Sequence, residues 1–291
     1  MEDCLLCGSG YFCDGRGLSS PSGLCAAGYY CSGGALSPRP VVTTSRGGLC
    51  PPGHFCEAGS TRPQPCPVGT YNPSWGMAQC LECPEGVFCD AGSANYTNCP
   101  AGHYCPQNTK FATQFPCPRG TYSNILNIKT VSECQPCPPG KFCSKSGLTN
   151  PDGTCMPGWY CPPRSTSGKP IFPGSHADTV PSISSAGSAT ETSGFFRMCQ
   201  AGTYCPEGSS VPLPCSPGYY CASSELAAPS GPCDAGFFCT GGSTLPNPTD
   251  GAVGDICPRG HVCPQGSSSP FPCPAAGESN WPYPPTAQDL Q

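Results

Sequence analysis

The stretch CPVGTYNPSWGMAQCLECPEGVFCDAGSANYTNCPAGHYC, from Cys66 to Cys105, holds the pattern on which the rest of the chain is built. Two of its segments, CPEGVFC (Cys83 to Cys89) and CPAGHYC (Cys99 to Cys105), share the form Cys-x-x-Gly-x-aromatic-Cys. Outward from them the same form begins at Cys7, Cys25, Cys50, Cys137, Cys155, Cys199, Cys215, Cys233 and Cys257, which makes eleven units, each closed by a second cysteine six positions on. Ten of the eleven carry Phe or Tyr just before the closing cysteine; CPRGHVC, from Cys257, carries Val262 there. Such regularity marks a tandem array of small units.

Each position in the unit has a physical reason. Gly53, Gly102 and their equivalents supply a turn with positive φ that a side chain would resist. Pro51, Pro84, Pro100 and Pro138 stiffen the approach to that turn. The aromatic ring stands beside a half-cystine and is expected to cover that bridge, forming a miniature core. A unit of this size cannot fold alone, so neighbours must stack.

Composition points the same way. The 291 residues include 28 Cys, 40 Pro and 38 Gly, with 11% charged residues and a formal net charge of -5. This is the cysteine density of a disulfide scaffold. Aliphatic residues are sparse and never recur at helical spacing over three turns, and proline and glycine throughout exclude long helices and broad sheets. Cross-links must therefore replace buried area as the source of order. The expected fold class is small disulfide-rich repeats: tandem short β-hairpins and turns in an elongated rod, with little or no helix.

So many cysteines require an oxidising compartment, which places the protein outside the cell, secreted or at a cell surface. Yet residues 1–24 contain no basic start followed by an apolar run, and Cys4, Cys7 and Cys13 lie where a signal peptide would be. The numbered chain is accordingly read as a mature or partial segment, or Met1 is not where the gene product begins. No stretch approaches the ~20 apolar residues that span a bilayer, and mild acidity with few Lys or Arg argues against nucleic acid.

A second pattern joins Cys66-Pro-Val-Gly-Thr-Tyr to Cys80 and Cys117-Pro-Arg-Gly-Thr-Tyr to Cys134, each followed by a Cys-x-x-Cys step, Cys80/Cys83 and Cys134/Cys137. The composite, CPxGTY, spacer, CxxCPxGxFC, resembles the ephrin-receptor-like cysteine-rich repeat, related in style to tumour-necrosis-factor-receptor and EGF-type modules. The resemblance covers nearly the whole chain outside residues 162–198. The long array is similar to those of mastigoneme proteins, the hair-like filaments of flagella, and of other protist and algal surface proteins. Because the same module occurs in receptor ectodomains, it identifies architecture better than task.

The resemblance implies a disulfide framework that includes Cys66, Cys80, Cys83, Cys99, Cys89, Cys105, Cys117 and Cys134. Receptor-like pairing would join Cys66 to Cys80 and interlace Cys83 with Cys99 and Cys89 with Cys105. The three units from Cys7 to Cys56 cannot all interlace in twos. Local pairing within each Cys-x5-Cys, or bridges between successive units such as Cys89 to Cys99, are the alternatives. Interlaced pairs are preferred wherever unit number permits.

Four segments are expected: a first array over 1–161, a Ser/Thr/Pro/Gly-rich linker or long loop over 162–198, a second array over 199–273, and a Pro-rich tail over 274–291. The hydroxyl-rich stretch from Ser165 to Ser193 suits O-linked sugar. Asn95-Tyr96-Thr97 is the N-linked acceptor, since Asn72 and Asn247 are followed by proline.

Chemistry finds no foothold. Cys4/Cys7, Cys80/Cys83 and Cys134/Cys137 have zinc-like spacing, but a zinc site needs a second matching pair, and the surrounding five-residue gaps favour bridges. His54, His103 and His261 share the slot after the repeat glycine and read as solvent-exposed imidazoles at a tolerant turn position. Paired carboxylates, nucleophile elbows, phosphate-cradling loops, metalloprotease helices and calcium-binding clusters are absent from the sequence, so no catalytic residue, metal ligand or cofactor is assigned.

Two readings follow. The chain is a building block of an extracellular filament or coat, or it is part of a receptor or adhesin ectodomain that binds a protein or glycan. The first is preferred, because no hot-spot patch is visible and Trp75, Trp159 and Trp281 are far apart. Partners are then copies of the chain or other filament subunits, arranged head to tail, together with attached glycans. Met1-Glu-Asp-Cys4-Leu-Leu-Cys7 looks like the closing half of a composite repeat and Cys273-Pro-Ala-Ala-Gly like an opening half without the Thr-Tyr pair, which leaves Cys4 and Cys273 either for an intermolecular bridge or for partners elsewhere in a longer array.

Overall fold

The computed structural model describes residues 6–40, 46–169 and 197–273. Their secondary structure is twelve two-stranded sheets, each joining a strand to the next in sequence. Every strand is two or three residues long, and the one helical element among the described residues is a 3-10 turn at Val131–Glu133. The small-hairpin fold class expected from the repeats is the one observed.

The sequence dictates these hairpins locally. In CPPGHFC the N–H of His54 donates to the carbonyl of Pro51 at 3.2 Å, and Gly53 between them has a φ of 77°. That is the arrangement of a type II turn, which demands positive φ at its third residue. The turn reverses the chain and delivers His54–Phe55 as a strand, which pairs antiparallel with Gln64–Pro65, just before the next opening cysteine. Val87–Phe88 pairs in the same way with Thr97–Asn98. Each hairpin thus runs from one repeat's aromatic residue to the next repeat's first cysteine.

A second turn of the same kind follows the closing cysteine. The Ser60 N–H donates to Glu57 at 3.1 Å across Gly59, whose φ is 81°. The hydroxyl after this turn folds back onto it, Ser60 Oγ to Glu57 O at 2.7 Å and Thr109 Oγ1 to Pro106 O at 2.6 Å. Thr109, Ser165 and Ser267 are buried in this role.

The buried interior is mostly sulfur. Apart from half-cystines, only Ala35, Val87 and Ile128 are buried apolar residues among those described. Each repeat's ring was expected to cover its own bridge, but Phe12 packs on the cluster of Cys25 and Cys31, Tyr71 on that of Cys83 and Cys89, and Tyr104 on that of Cys117 and Cys134. In these three places a ring reaches the bridge of the following repeat because the hairpin carries it forward, while Tyr29 packs on the bridge of its own repeat, Cys25–Cys31.

The chain divides into two compact units. The first comprises Met1–Pro118, Tyr122–Gln135 and Ser146–Asn150; the second comprises Arg119–Thr121, Pro136–Lys145 and Pro151–Gln291. Within the stretch 162–198, Ser165 is buried with its hydroxyl donated to Pro162 O, and the Met156 N–H donates to Gly168 O at 3.0 Å. Residues 170–196 lie outside the described residues, with most of the hydroxyls considered for O-linked sugar. They join the two strands of one hairpin, in which Trp159 pairs with Met198 and Tyr160 with Arg197. Cys4 and the tail 274–291 also lie outside the described residues.

Candidate functional site: the junction between repeats

The feature that recurs through the molecule is the seam where one repeat meets the next. Four main-chain hydrogen bonds make it. Between the repeats opening at Cys83 and Cys99, Gly86 N–H donates to Cys105 O at 2.7 Å, Cys89 N–H to Thr109 O at 3.1 Å, Cys99 N–H to Gly86 O at 3.2 Å, and Asn108 N–H to Cys83 O at 2.8 Å. In the second unit the repeats opening at Cys155 and Cys199 repeat the set: Gly158 to Cys205, Cys161 to Ser209, Cys199 to Gly158, and Gly208 to Cys155, all between 2.8 and 3.0 Å. The residues flanking 170–196 are therefore joined as other neighbouring repeats are. Because both partners are main chain, the seam is indifferent to most side chains, which explains how repeats of different sequence can share it.

The motif glycine is the exception. A β-carbon on Gly69 would lie 2.8 Å from Asn108 O, and one on Gly202 would lie 2.7 Å from Gly242 O. Each faces a carbonyl of the repeat after next, so the glycine admits a third repeat to the seam.

Bridges close each repeat on itself. All eleven Cys-x5-Cys units are locally paired, among them Cys83 to Cys89 at a Cα–Cα separation of 6.0 Å and Cys99 to Cys105 at 6.0 Å. The interlaced pairs Cys83–Cys99 and Cys89–Cys105 do not form. The type II turn brings the two ends of each unit within bridging distance before any neighbour is needed. Cys66 pairs with Cys80 and Cys117 with Cys134. Among the described residues the one free cysteine is Cys273, which is exposed; its N–H donates to Gly260 O at 2.9 Å, the bond made by the opening cysteine of a repeat.

The two longer bridges conceal a substitution that the sequence reading missed. Asn72 and Ser123 occupy the place of the closing cysteine, six residues after Cys66 and Cys117, and both are fully buried. Asn72 O accepts the seam bond from Gly53, while its Nδ2 donates to His54 O at 2.5 Å and its Oδ1 accepts from the Ser74 N–H at 3.0 Å. Ser123 O accepts the equivalent bond from Gly102. Counting six residues on from each CPxG would have found both.

Electrostatics are sparse and superficial. Lys129 and Glu85, each about half exposed, form an ion pair at 2.7 Å, and the hydrogen bond and charge of Glu85 raise the lysine's pKa. Backbone N–H donation, chiefly from Lys129 and then Thr130, holds the Glu133 carboxyl below its ordinary pKa, and donation from Val253 and Ala252 does the same for Asp250. His54, His103 and His261 each place Nδ1 3.2 to 3.3 Å from the carbonyl two residues back, a shared local contact; His261 is exposed, and His54 and His103 are half-buried rather than the exposed imidazoles expected. Trp75 is exposed, Trp159 is half-buried with Lys169 Nζ 5.9 Å from its ring, and Trp281 lies outside the described residues. Among the described residues no three His, Cys, Asp or Glu side chains are grouped to hold a metal ion, and no helix is long and apolar enough to cross a membrane. The molecule is a disulfide-stapled scaffold whose recurring feature is a binding seam between its own parts.

No protein-family model matches the chain. A segment of 113 residues, 39% of the chain, is 34% identical to part of ABC transporter G family member 28 of Arabidopsis thaliana and spans 8% of that protein's length.

Proposed function

We propose that this disulfide-rich repeat scaffold is a building block of an extracellular filament or cell-surface coat, of the mastigoneme-like kind found on flagella. The observation that carries the reading is the main-chain seam, with every repeat also closed by its own bridge. A scaffold held by main-chain bonds can be extended repeat by repeat without new side-chain chemistry, as repeat proteins are. The partners are copies of the chain or other filament subunits, met head to tail. The exposed thiol of Cys273 is the natural bonding group on one side and Cys4 on the other. Non-reducing electrophoresis of native material is expected to show a ladder that collapses with reductant, and negative-stain microscopy to show regular fibres. Single, unlinked chains in both would defeat the proposal.

The partial match to a plant transporter favours one second reading, a cysteine-rich extracellular segment within a larger membrane protein. Detergent-dependent extraction of the native protein as a chain far longer than 291 residues would favour this reading over the first.

A further inference from the structure

We propose that Asn95 carries an N-linked oligosaccharide and is the one asparagine of the chain to do so. Three Asn-x-Ser/Thr triplets occur, at Asn72, Asn95 and Asn247, and the fold treats them differently. The Asn72 side chain is fully buried and its amide nitrogen is spent on His54 O. A sugar there would displace Asn72 from the closing-cysteine slot and break the seam. Asn247 is exposed, but its middle residue is Pro248, which is buried, and a proline in that place disqualifies the triplet.

Asn95 meets both conditions. Asn95, Tyr96 and Thr97 are all exposed. The Asn95 Oδ1 accepts the Tyr96 N–H at 3.1 Å, which leaves Nδ2 facing solvent. The loop that carries it is held at both ends: Gly92 N–H donates to Cys66 O at 2.8 Å on one side, and Thr97–Asn98 pairs with Val87–Phe88 on the other. The Tyr96 ring packs edge-on against Tyr71 at 5.5 Å. None of the seam bonds involves the Asn95 side chain, so a sugar added there leaves the array intact.

In the transfer, Nδ2 of Asn95 bonds to the anomeric carbon of an oligosaccharide carried on a lipid-linked diphosphate. The bond from that carbon to the diphosphate oxygen breaks, the diphosphate leaves, and Nδ2 gives up one proton. The inference rests on passage through an oxidising secretory route, and the test separates the two. The full chain is secreted from a eukaryotic host, mapped by peptide mass before and after amidase release of N-glycans, and its free thiols are counted by alkylation. The expected result is glycan on most Asn95, none on Asn72 or Asn247, complete loss in Asn95→Gln and Thr97→Ala, and retention in Thr97→Ser. Bare Asn95 in protein with bridged cysteines overturns the site alone. Bare Asn95 with extensively alkylated thiols overturns the site and the extracellular reading together.

Discussion

The two turns of each repeat look alike and are held to different standards. Both set their third residue at positive φ and close with the same kind of bond, His54 to Pro51 in the first and Ser60 to Glu57 in the second. Among the described residues only glycine fills the first. The second accepts Asn108 and Arg164, and Asn127 and Glu225 hold the same seam position in bends one residue longer, with φ from 61° to 67°. Their surroundings explain the difference. A β-carbon on Gly69 in a first turn meets the fixed carbonyl of Asn108 at 2.8 Å, whereas one on Gly92 in a second turn finds nothing nearer than Pro65 Cβ at 3.7 Å. Positive φ makes glycine favourable; a main-chain carbonyl pressed against it makes glycine necessary.

The sharpest way to break this contrast is to give both turns a methyl group. Gly69→Ala is expected to cost about 3 kcal/mol or more, combining left-handed strain with displacement of a carbonyl that has no room to yield. Gly92→Ala is expected to cost about 1 kcal/mol from the backbone alone. Denaturant midpoints with bridges intact report both, and equal losses would mean that the carbonyl contact is immaterial. Next in size is Asn72→Ala, which strands the His54 carbonyl and the Ser74 N–H and is expected to cost about 2 kcal/mol. Asn72→Ser, copying the residue found at Ser123, should recover part of that. The smallest effect has the opposite sign: Arg164→Gly is expected to stabilise by about 1 kcal/mol, because it relieves positive φ in a second turn. A loss there would show that the arginine side chain holds something in place.

What could be read in the sequence was whatever repeats as side-chain identity. The Cys-x-x-Gly-x-aromatic-Cys spacing gave the hairpins and the first turn, because that turn tolerates only one residue. The second turn escaped notice because its seam position is met by Gly92, Asn108, Arg164 or Glu225, four unlike side chains that share only a positive φ. Asn72 and Ser123 escaped for a related reason: the seam needs a carbonyl at that point, and every residue supplies one. Local and interlaced bridges use the same cysteines, so spacing does not distinguish them, and the interlaced pairing preferred for Cys83 is overturned by its bond to Cys89. The turn at Gly86 settles it by geometry that composition does not display. Asn95 was legible as a triplet, while the freedom of its amide against the confinement of Asn72 required coordinates.

The self-contained bridges set how the chain responds to a cut. No disulfide among the described residues spans from one repeat to the next; the two longest, Cys66–Cys80 and Cys117–Cys134, also begin and end within a single repeat. Covalent continuity between neighbours therefore rests on one peptide strand, as in beads on an unknotted string. A protease that severs the connection between Cys56 and Cys66 leaves the halves joined only by the hydrogen-bonded seam and the packing across it. Such a molecule survives dilution in native buffer but parts into two pieces in denaturant without any reductant, whereas interlaced bridges would have kept the pieces together.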